Sequence, residues 1–239
     1  MADGSKPLDG ASERRARVDR GLSEGVVALV AGAGHFGARA CRELRARHPH
    51  WRIVVADSDP SRLEPLVSEN TEVRRADAVE LLEEFLEKES LRWVIPAVPF
   101  HLVHAWLMRV LSRGKEVKRA SLPPDLGVPN PIPGAQGDLY TSYATFRCPE
   151  HCSEPRGRCT VTGERRPVAL FELLKHLRVG THTVVGIRSY QLAPGVGGLR
   201  RGDLVGLLQK AREAMGPLIV FTACRCHGVL SGLELEGTS

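Results

Sequence analysis

Apolar positions along this chain follow two periods in alternation. From Gly25 onward, short β-branched runs are separated by segments whose apolar residues recur at three- and four-residue spacing, which predicts strands alternating with helices. The first run, Val26-Val27-Ala28-Leu29-Val30-Ala31, is apolar throughout, as a strand buried on both faces must be. Gly37, Ala40, Cys41 and Leu44 then mark one face of a helix, which assigns Cys41 to packing. A second strand, Trp51 to Ala56, ends in Asp57. Asp59-Pro60 predicts a cap and a first-turn proline for a helix over Ser61 to Val67. A short strand follows near Glu72 to Arg75. Asp77 and Glu80 stand at capping-box spacing ahead of the helical run Val79 to Leu86. Arg92 to Pro99 reads as a fourth strand with prolines at its carboxyl end, Phe100 to Arg113 as a helix closed by Gly114, and Glu116 to Ala120 as a fifth strand.

Beyond Ser121 the texture changes. Leu122-Pro123-Pro124 through Pro133-Gly134 is rich in proline and glycine and reads as a linker or lid. A cysteine-bearing stretch comes next, then a helix from Pro167 with Phe171, Leu174 and Leu177 on one face. His182 to Tyr190 predicts a strand, and the glycine loop Ala193 to Gly198 reads as a connection from that strand to a helix capped by Asp203. That helix carries Leu204, Leu207, Leu208 and Ala211 and ends at Gly216-Pro217; Leu218 to Thr222 is the last strand expected. This terminal strand–helix–strand either extends the first sheet or forms a layer of its own. The organisation expected is a mobile extension over 1–24, a nucleotide domain over 25–122, a Cys-bearing loop segment over 123–166 and an α/β segment over 167–239.

Chemistry enters where the first strand breaks. Gly32-Ala33-Gly34-His35-Phe36-Gly37 has the spacing G-x-G-x-x-G between a strand and a helix. There Gly32 allows the sharp turn, Gly34 lets backbone approach a pyrophosphate, and Gly37 lets the helix sit close to the sheet with its N–H groups facing phosphate. Asp57, twenty residues past Gly37, stands where a carboxylate accepts from the adenine-side ribose and disfavours a 2′-phosphate. NAD is therefore the expected cofactor, with NADP left open by the nearby Arg62. The bland alternative is a domain that keeps its glycines for packing. The runs VALVAGAGHFG, VVADSDPSRL, VIPAVPFHLVHAWL and GKEVKRASL resemble the N-terminal nucleotide domain of the saccharopine dehydrogenase-like family. The first half is similar to the TrkA-N nucleotide domains that regulate potassium channels and transporters. The resemblance covers about residues 25–122 and implies an α/β fold: a Rossmann-like parallel sheet with helices on both faces, with Ala97 and Pro99 in a fourth-strand loop that passes under a nicotinamide.

Composition narrows the setting. The chain has 239 residues, a formal net charge of +5 and 26% charged residues, so it tolerates an anionic ligand without pointing to nucleic acid. No apolar run reaches the length of a membrane span and the N-terminus lacks a signal-peptide core, so a cytoplasmic protein with reduced thiols is expected. Five of the six cysteines then stand out. Cys148, Cys152 and Cys159 form C-x3-C-x6-C, and Cys224 and Cys226 precede His227 in C-x-C-H. Soft thiolates from two separated segments suit zinc or a [4Fe–4S] cluster, and a redox dithiol or unconnected thiols remain open. His151 is an extra ligand or merely exposed. His101 and His104, three apart after the fourth strand, are weak candidates for facing a nicotinamide, and Lys118 and Tyr190 are named only as residue types able to donate protons. The basic run Arg109, Arg113, Lys115, Lys118 and Arg119 reads as a solvated face or as a contact for a substrate anion. The function expected is an NAD(P)-dependent oxidoreductase with a cysteine-ligated metal site, acting on a small molecule or redox partner, with a homodimer open. A non-catalytic nucleotide or redox sensor, or a metal-centre protein acting through a partner, is the alternative.

Overall fold

The structure, a computed structural model, describes residues 25–236; the extension expected over 1–24 lies outside the described residues. Four parallel strands begin it: β1 (Val26–Ala31), β2 (Arg52–Asp57), β3 (Thr71–Arg75) and β4 (Trp93–Pro96), in the order β3-β2-β1-β4. Between them run α1 (His35–Arg47), the single turn α2 (Pro60–Leu63) and α3 (Ala78–Leu86), and α4 (Leu102–Leu111) follows β4. The unbroken apolar character of β1 has two targets. Ala28 and Val30 pack with Ala40, Cys41 and Leu44 of α1, while Leu29 and Ala31 face the core shared with α3 and α4. The caps are as the sequence has them: Asp59 accepts from the Ser61 N–H, and Asp77 from the N–H groups of Val79 and Glu80.

The place beside β4 is not taken by Glu116–Ala120. That segment forms a strand, β5, but pairs antiparallel with a strand of a second sheet. Its single branched apolar residue, Val117, suits a strand with one wet face; a parallel strand covered on both faces needs a near-continuous apolar run. The edge of β4 receives instead an antiparallel hairpin, β11 (Tyr190–Ala193) and β12 (Val196–Arg200), with Leu199 opposite Val94 and Arg200 opposite Trp93. The glycine loop expected to lead from strand to helix is thus a hairpin turn and its second strand, with Gly198 packed where a side chain would meet Leu192. Helix α6 (Arg201–Glu213) starts from Arg200, and Asp203 lies in its first turn rather than at its cap.

The second sheet runs β10 (Thr183–Arg188), β13 (Gly216–Ala223), β14 (His227–Glu236), β7 (Leu139–Ser142) and β6 (Ile132–Pro133). Strand β14 pairs with β13 along one edge and divides its other edge between β7 and β5. The terminal strand–helix–strand therefore builds a sheet of its own and lends its hairpin to the first. Helices α3, α4 and α6 fill the space between the sheets, and Leu82, Trp106, Leu204, Leu218 and Leu233 belong to that one core. Helix α5 (Leu170–Lys175), with Leu126 and Val128 of the loop before it, covers the outer face of the second sheet. A small hairpin, β8 (Gly157–Arg158) and β9 (Arg165–Arg166), carries Cys159 in its loop.

Candidate functional site

The crossover from β1 to α1 is built of close approaches. Gly32 has φ +103°, and a Cβ there would stand 2.6 Å from the Ala97 carbonyl oxygen. A Cβ on Gly37 would meet the Gly32 carbonyl oxygen at 1.9 Å, so helix, turn and the end of β4 are pressed together. Gly34 differs: a Cβ there would meet nothing within 4 Å. The space in front of it is open, and the helix that begins there has neither a side-chain cap nor an acidic residue in its first turn. Bare main-chain N–H groups at a helix N-terminus facing open space are what an anion takes up. Asp57 closes the other side, its carboxylate accepting from the Ala33 N–H at 2.7 Å and the Asp59 N–H at 2.9 Å. Each carboxylate oxygen retains a second lone pair, so a ribose hydroxyl can still donate to it. Arg62, the residue that left NADP open, pairs with Asp59 at 3.3 Å.

A cavity of about 500 Å³ lies beside this crossover. Cys148, Cys152, Cys159, Cys224 and Cys226 all line it, together with His227 and Arg166. Phe36, from the first turn of α1, and Gly195 to Gly197, from the β11–β12 hairpin, also line it. The structure thus brings together around one cavity every cysteine singled out in the second half of the chain. It does not bring them to ligand spacing: among the described residues no group of three or more His, Cys, Asp or Glu side chains is placed to hold a metal ion.

Each sulfur has its own surroundings. Cys224 Sγ accepts from the main-chain N–H groups of Cys226 (3.4 Å) and His227 (3.3 Å) in the β13–β14 turn. His227 stands between two thiols, with Nε2 3.5 Å from Cys148 Sγ and Nδ1 3.8 Å from Cys224 Sγ. Arg166 donates from Nη1 to Cys226 Sγ at 3.1 Å. Burial pushes the Cys224 thiol up to about 12, with the Glu154 carboxylate adding to it, and burial also raises Cys148 and Cys226. Cys159 goes the other way, because the Thr162 N–H, the Thr162 hydroxyl and the Val161 N–H all point to its sulfur. Burial lowers His227 below the ordinary imidazole range, aided by the Arg166 charge.

The cysteine loop is fastened to the nucleotide domain. Glu150 reaches His35 Nε2 at 3.5 Å and Arg39 Nη1 at 3.3 Å, and Arg39 Nη2 donates to the Pro194 carbonyl. The Cys152 carbonyl accepts from Gln191 Nε2 and from the Gly195 N–H. Neither Glu150 nor Gln191 nor Arg166 stands in a recognisable motif. The sole signal for them is placement, Glu150 between Cys148 and Cys152 and Gln191 just before the glycines.

The weak proton-donor candidates lie elsewhere. His101 caps α4 inside the molecule, its Nδ1 2.8 Å from Ser231 Oγ and its Nε2 2.9 Å from Thr222 Oγ1, so neither nitrogen is left for a substrate. Burial drives its pKa down to about 3. His104 is fully buried with Nε2 on the Gly232 carbonyl. Lys118 lies on β5 and pairs with Glu116. The Tyr190 ring takes cation–π contacts from the guanidiniums of both Arg188 (4.6 Å) and Arg200 (4.1 Å). The basic run is largely occupied: Arg109 and Arg113 bind Glu83, Lys115 donates to the Arg212 carbonyl, and Arg119 pairs with Asp138 at 3.0 Å. Cys41 is fully buried in α1, as its stripe requires.

Comparison with known proteins agrees with this division of labour. Residues 28–98 match the TrkA-N domain, and the first sheet is accordingly an NAD(P)-binding, Rossmann-like fold. Residues 103–236 match the family described as "Uncharacterized protein, C-terminal domain". The chain belongs to that family. This C-terminal domain supplies the cysteine loop, the hairpin against β4 and the whole second sheet. An Archaeoglobus fulgidus protein bearing the name "Uncharacterized protein" is 28% identical over 223 residues, spanning 86% of this chain and 98% of its own. No solved structure matches the chain. Among the described residues no helix is long and apolar enough to cross a membrane.

Proposed function

We propose that the protein is an NAD(P)-dependent oxidoreductase for a small molecule, with its cysteines ligating a metal ion or cluster beside the nicotinamide. One observation carries this reading: Phe36, within the glycine motif, also lines the thiol cavity, so the two sites adjoin. The side of that contact supports it further. In an open parallel sheet ligands lie outside the carboxyl ends of the strands, and the Ala193–Val196 turn lies toward the carboxyl end of β4, in the cluster that Ala97 packs against. The main-chain groups of Gly32, Gly34, His35, Phe36 and Gly37 receive the pyrophosphate, Asp57 the adenine-side ribose. Bound NAD(P) supplies hydride transfer. This chain positions the cofactor and, through the loop clamped by Glu150, shields the nicotinamide side from water.

A sensor without turnover is the second reading, and a specific observation favours it: none of His101, Lys118 and Tyr190 lines the cavity. Two measurements separate the readings. Equilibrium titration with NAD⁺, NADH, NADP⁺ and NADPH tests the crossover, and oxidation of NADH is then followed against a panel of small carbonyl compounds and electron acceptors. Turnover selects the oxidoreductase, tight binding without turnover selects the sensor, and no binding sinks both.

A further inference from the structure

We infer that the cavity beside the crossover takes a small molecule with at least two negative charges, carried on carboxylates or phosphates, and that Arg166 receives one of them. The inference rests on the reading of this cavity as the substrate site, and it fixes the class of substrate.

Size is the first constraint. A cavity of about 500 Å³ is of the size that small-molecule sites have.

Charge is the second. Residues 145–166 and the turn 224–227 hold six arginines, Arg147, Arg156, Arg158, Arg165, Arg166 and Arg225, against three glutamates. Arg147 and Arg166 line the cavity themselves, and Arg156, Arg165 and Arg225 each stand next in the chain to a residue that does. Arg158 lies directly opposite Arg165 in the β8–β9 pair, a placement of like charges that costs stability. The glutamates offset little of this. Glu150 engages Arg39 and His35 and comes no nearer to Arg147 than 3.9 Å. Glu154 accepts from the Arg225 main-chain N–H, and Glu164 from the Thr162 hydroxyl. Nor do the thiols exhaust the surplus. A divalent ion held by four thiolates carries two negative charges, and with Arg39 counted beside Glu150 the balance stays positive. A cleft lined by charges of one sign focuses its field and raises the local concentration of the opposite ion.

Arg166 is the residue placed to hold that ion. Its Nη1 donates to Cys226 Sγ at 3.1 Å, and its guanidinium lies 6.0 Å from the centroid of the Tyr143 ring, so two neighbours fix the side chain. Its Nη2 is buried and has no hydrogen-bond partner among the described residues. A buried donor left unpaired is costly, and a guanidinium is matched in shape to a carboxylate or a phosphate. A metal-bound thiolate beside Arg166 would answer that one donor. It would leave the other five arginines unanswered, and Arg147, which lines the same cavity, calls for a second charge on the ligand.

The test is equilibrium titration of the full chain, saturated with NADH so that the crossover is filled. Succinate, tricarballylate and glucose 6-phosphate are each compared with an uncharged counterpart: succinamide, tricarballylamide and glucose. At least one anion is expected to bind with a Kd of about 1 mM or tighter, its counterpart at least ~10-fold more weakly, with affinity falling as salt rises. Arg166→Met and the double variant Arg156→Gln/Arg165→Gln should each weaken the anion several-fold. Arg178→Gln, which removes a charge from a residue that does not line the cavity, should leave it unchanged. Should Arg166→Met fail to fold by circular dichroism, Arg147→Gln reads the same contact from the exposed side. The inference is overturned if no anion binds at about 1 mM or tighter, if the uncharged counterparts bind equally well, or if the arginine variants at the cavity bind as wild type does. A single-stranded oligothymidylate bound more tightly than every small anion also overturns it and gives the arginines to nucleic acid. Parallel titration with NADH alone, and its oxidation by carbonyl compounds, keep the two proposals apart. An Arg166-dependent anion in a protein that neither binds nor oxidises NADH sinks only the oxidoreductase; NADH oxidised by neutral carbonyl compounds with no anion bound sinks only this inference.

Discussion

At the scale of single residues, the three glycines of the crossover do different work, and substitution separates them. Gly34→Ala adds a methyl group to open space, so its unfolding free energy stays within about 0.5 kcal/mol of wild type. The same methyl group occupies the approach to the bare helix end, and dinucleotide affinity is expected to fall at least ~10-fold, a loss of about 1.4 kcal/mol. Gly37→Ala drives its methyl group into the Gly32 carbonyl and is expected to destabilise by about 1–3 kcal/mol, as overpacking does. Thermal melts with parallel titrations check both; a Gly34→Ala protein that binds as wild type does removes the pyrophosphate from this turn. Asp57 makes the companion prediction. With its carboxylate at the end of β2 and Arg62 held by Asp59, NADH should bind at least ~10-fold more tightly than NADPH, measured by competition. These residues were legible in the sequence because their meaning is local: a turn, a close approach and a strand end all lie within one crossover. Arg166 and Glu150 were not legible. Their partners Cys226 and Arg39 lie 60 and 111 positions away, and an arginine or a glutamate alone predicts no such contact.

At the scale of elements, what periodicity sets is type, and what it leaves open is address. Strands β1 to β4 and helices α1, α3 and α4 are written in apolar stripes and caps, and they assemble as written. Strand β5 was equally readable as a strand, yet which edge it joins is decided by competition between β12 and β14, neither of which is near it in the chain. The β14 alternation, Leu233 and Leu235 inward with Glu234 outward, was present to be read, but the cysteines before it drew the chemistry and masked the strand. His101 shows the cost of reading a helix without its neighbours. Spacing placed it at the carboxyl end of β4; packing turned it inward to Ser231 and Thr222, in a network where Ser231 also donates to Asp138 and Asp138 pairs with Arg119. That burial has a measurable consequence. The unfolded chain protonates His101 near pH 6.5, the folded chain only near about 3. Stability is therefore full above pH 6.5 and declines as the pH falls toward 3, with a slope of up to about 1.4 kcal/mol per pH unit from this residue. His104, shifted the same way, adds to it. Urea denaturation from pH 7 to pH 4 should be less steeply pH-dependent in His101→Gln than in wild type, and equal slopes would place the titration elsewhere.

At the scale of the whole molecule, the C-terminal domain is organised as a cover for the carboxyl edge of the first sheet. It gives that sheet its last two strands, and the turn between them touches the cysteine loop. It reaches back to α1 through Glu150, which bridges His35 in the glycine motif and the buried Arg39 one turn on. Glu150 therefore ties the cysteine loop to the crossover, and a change at the crossover is expected to reach the thiols in part through it. Glu150→Ala removes the clamp while leaving the motif and every cysteine in place. Because the carboxylate is half exposed, the loss of stability is expected to be about 1 kcal/mol or less. The loop carrying Cys148 and Cys152 is then held by the Cys152 carbonyl, by Glu154 on the Arg225 N–H and by the Cys148–His227 contact, but no longer to α1, so both thiols should react several-fold faster with a disulfide reagent than in wild type. In the wild-type protein NADH should slow that reaction by bracing His35 and Phe36 against the loop. In Glu150→Ala, provided NADH still binds, the protection should shrink. Protection by NADH that survives the substitution undiminished would mean that the two sites communicate by another route, or that the dinucleotide covers the thiols directly.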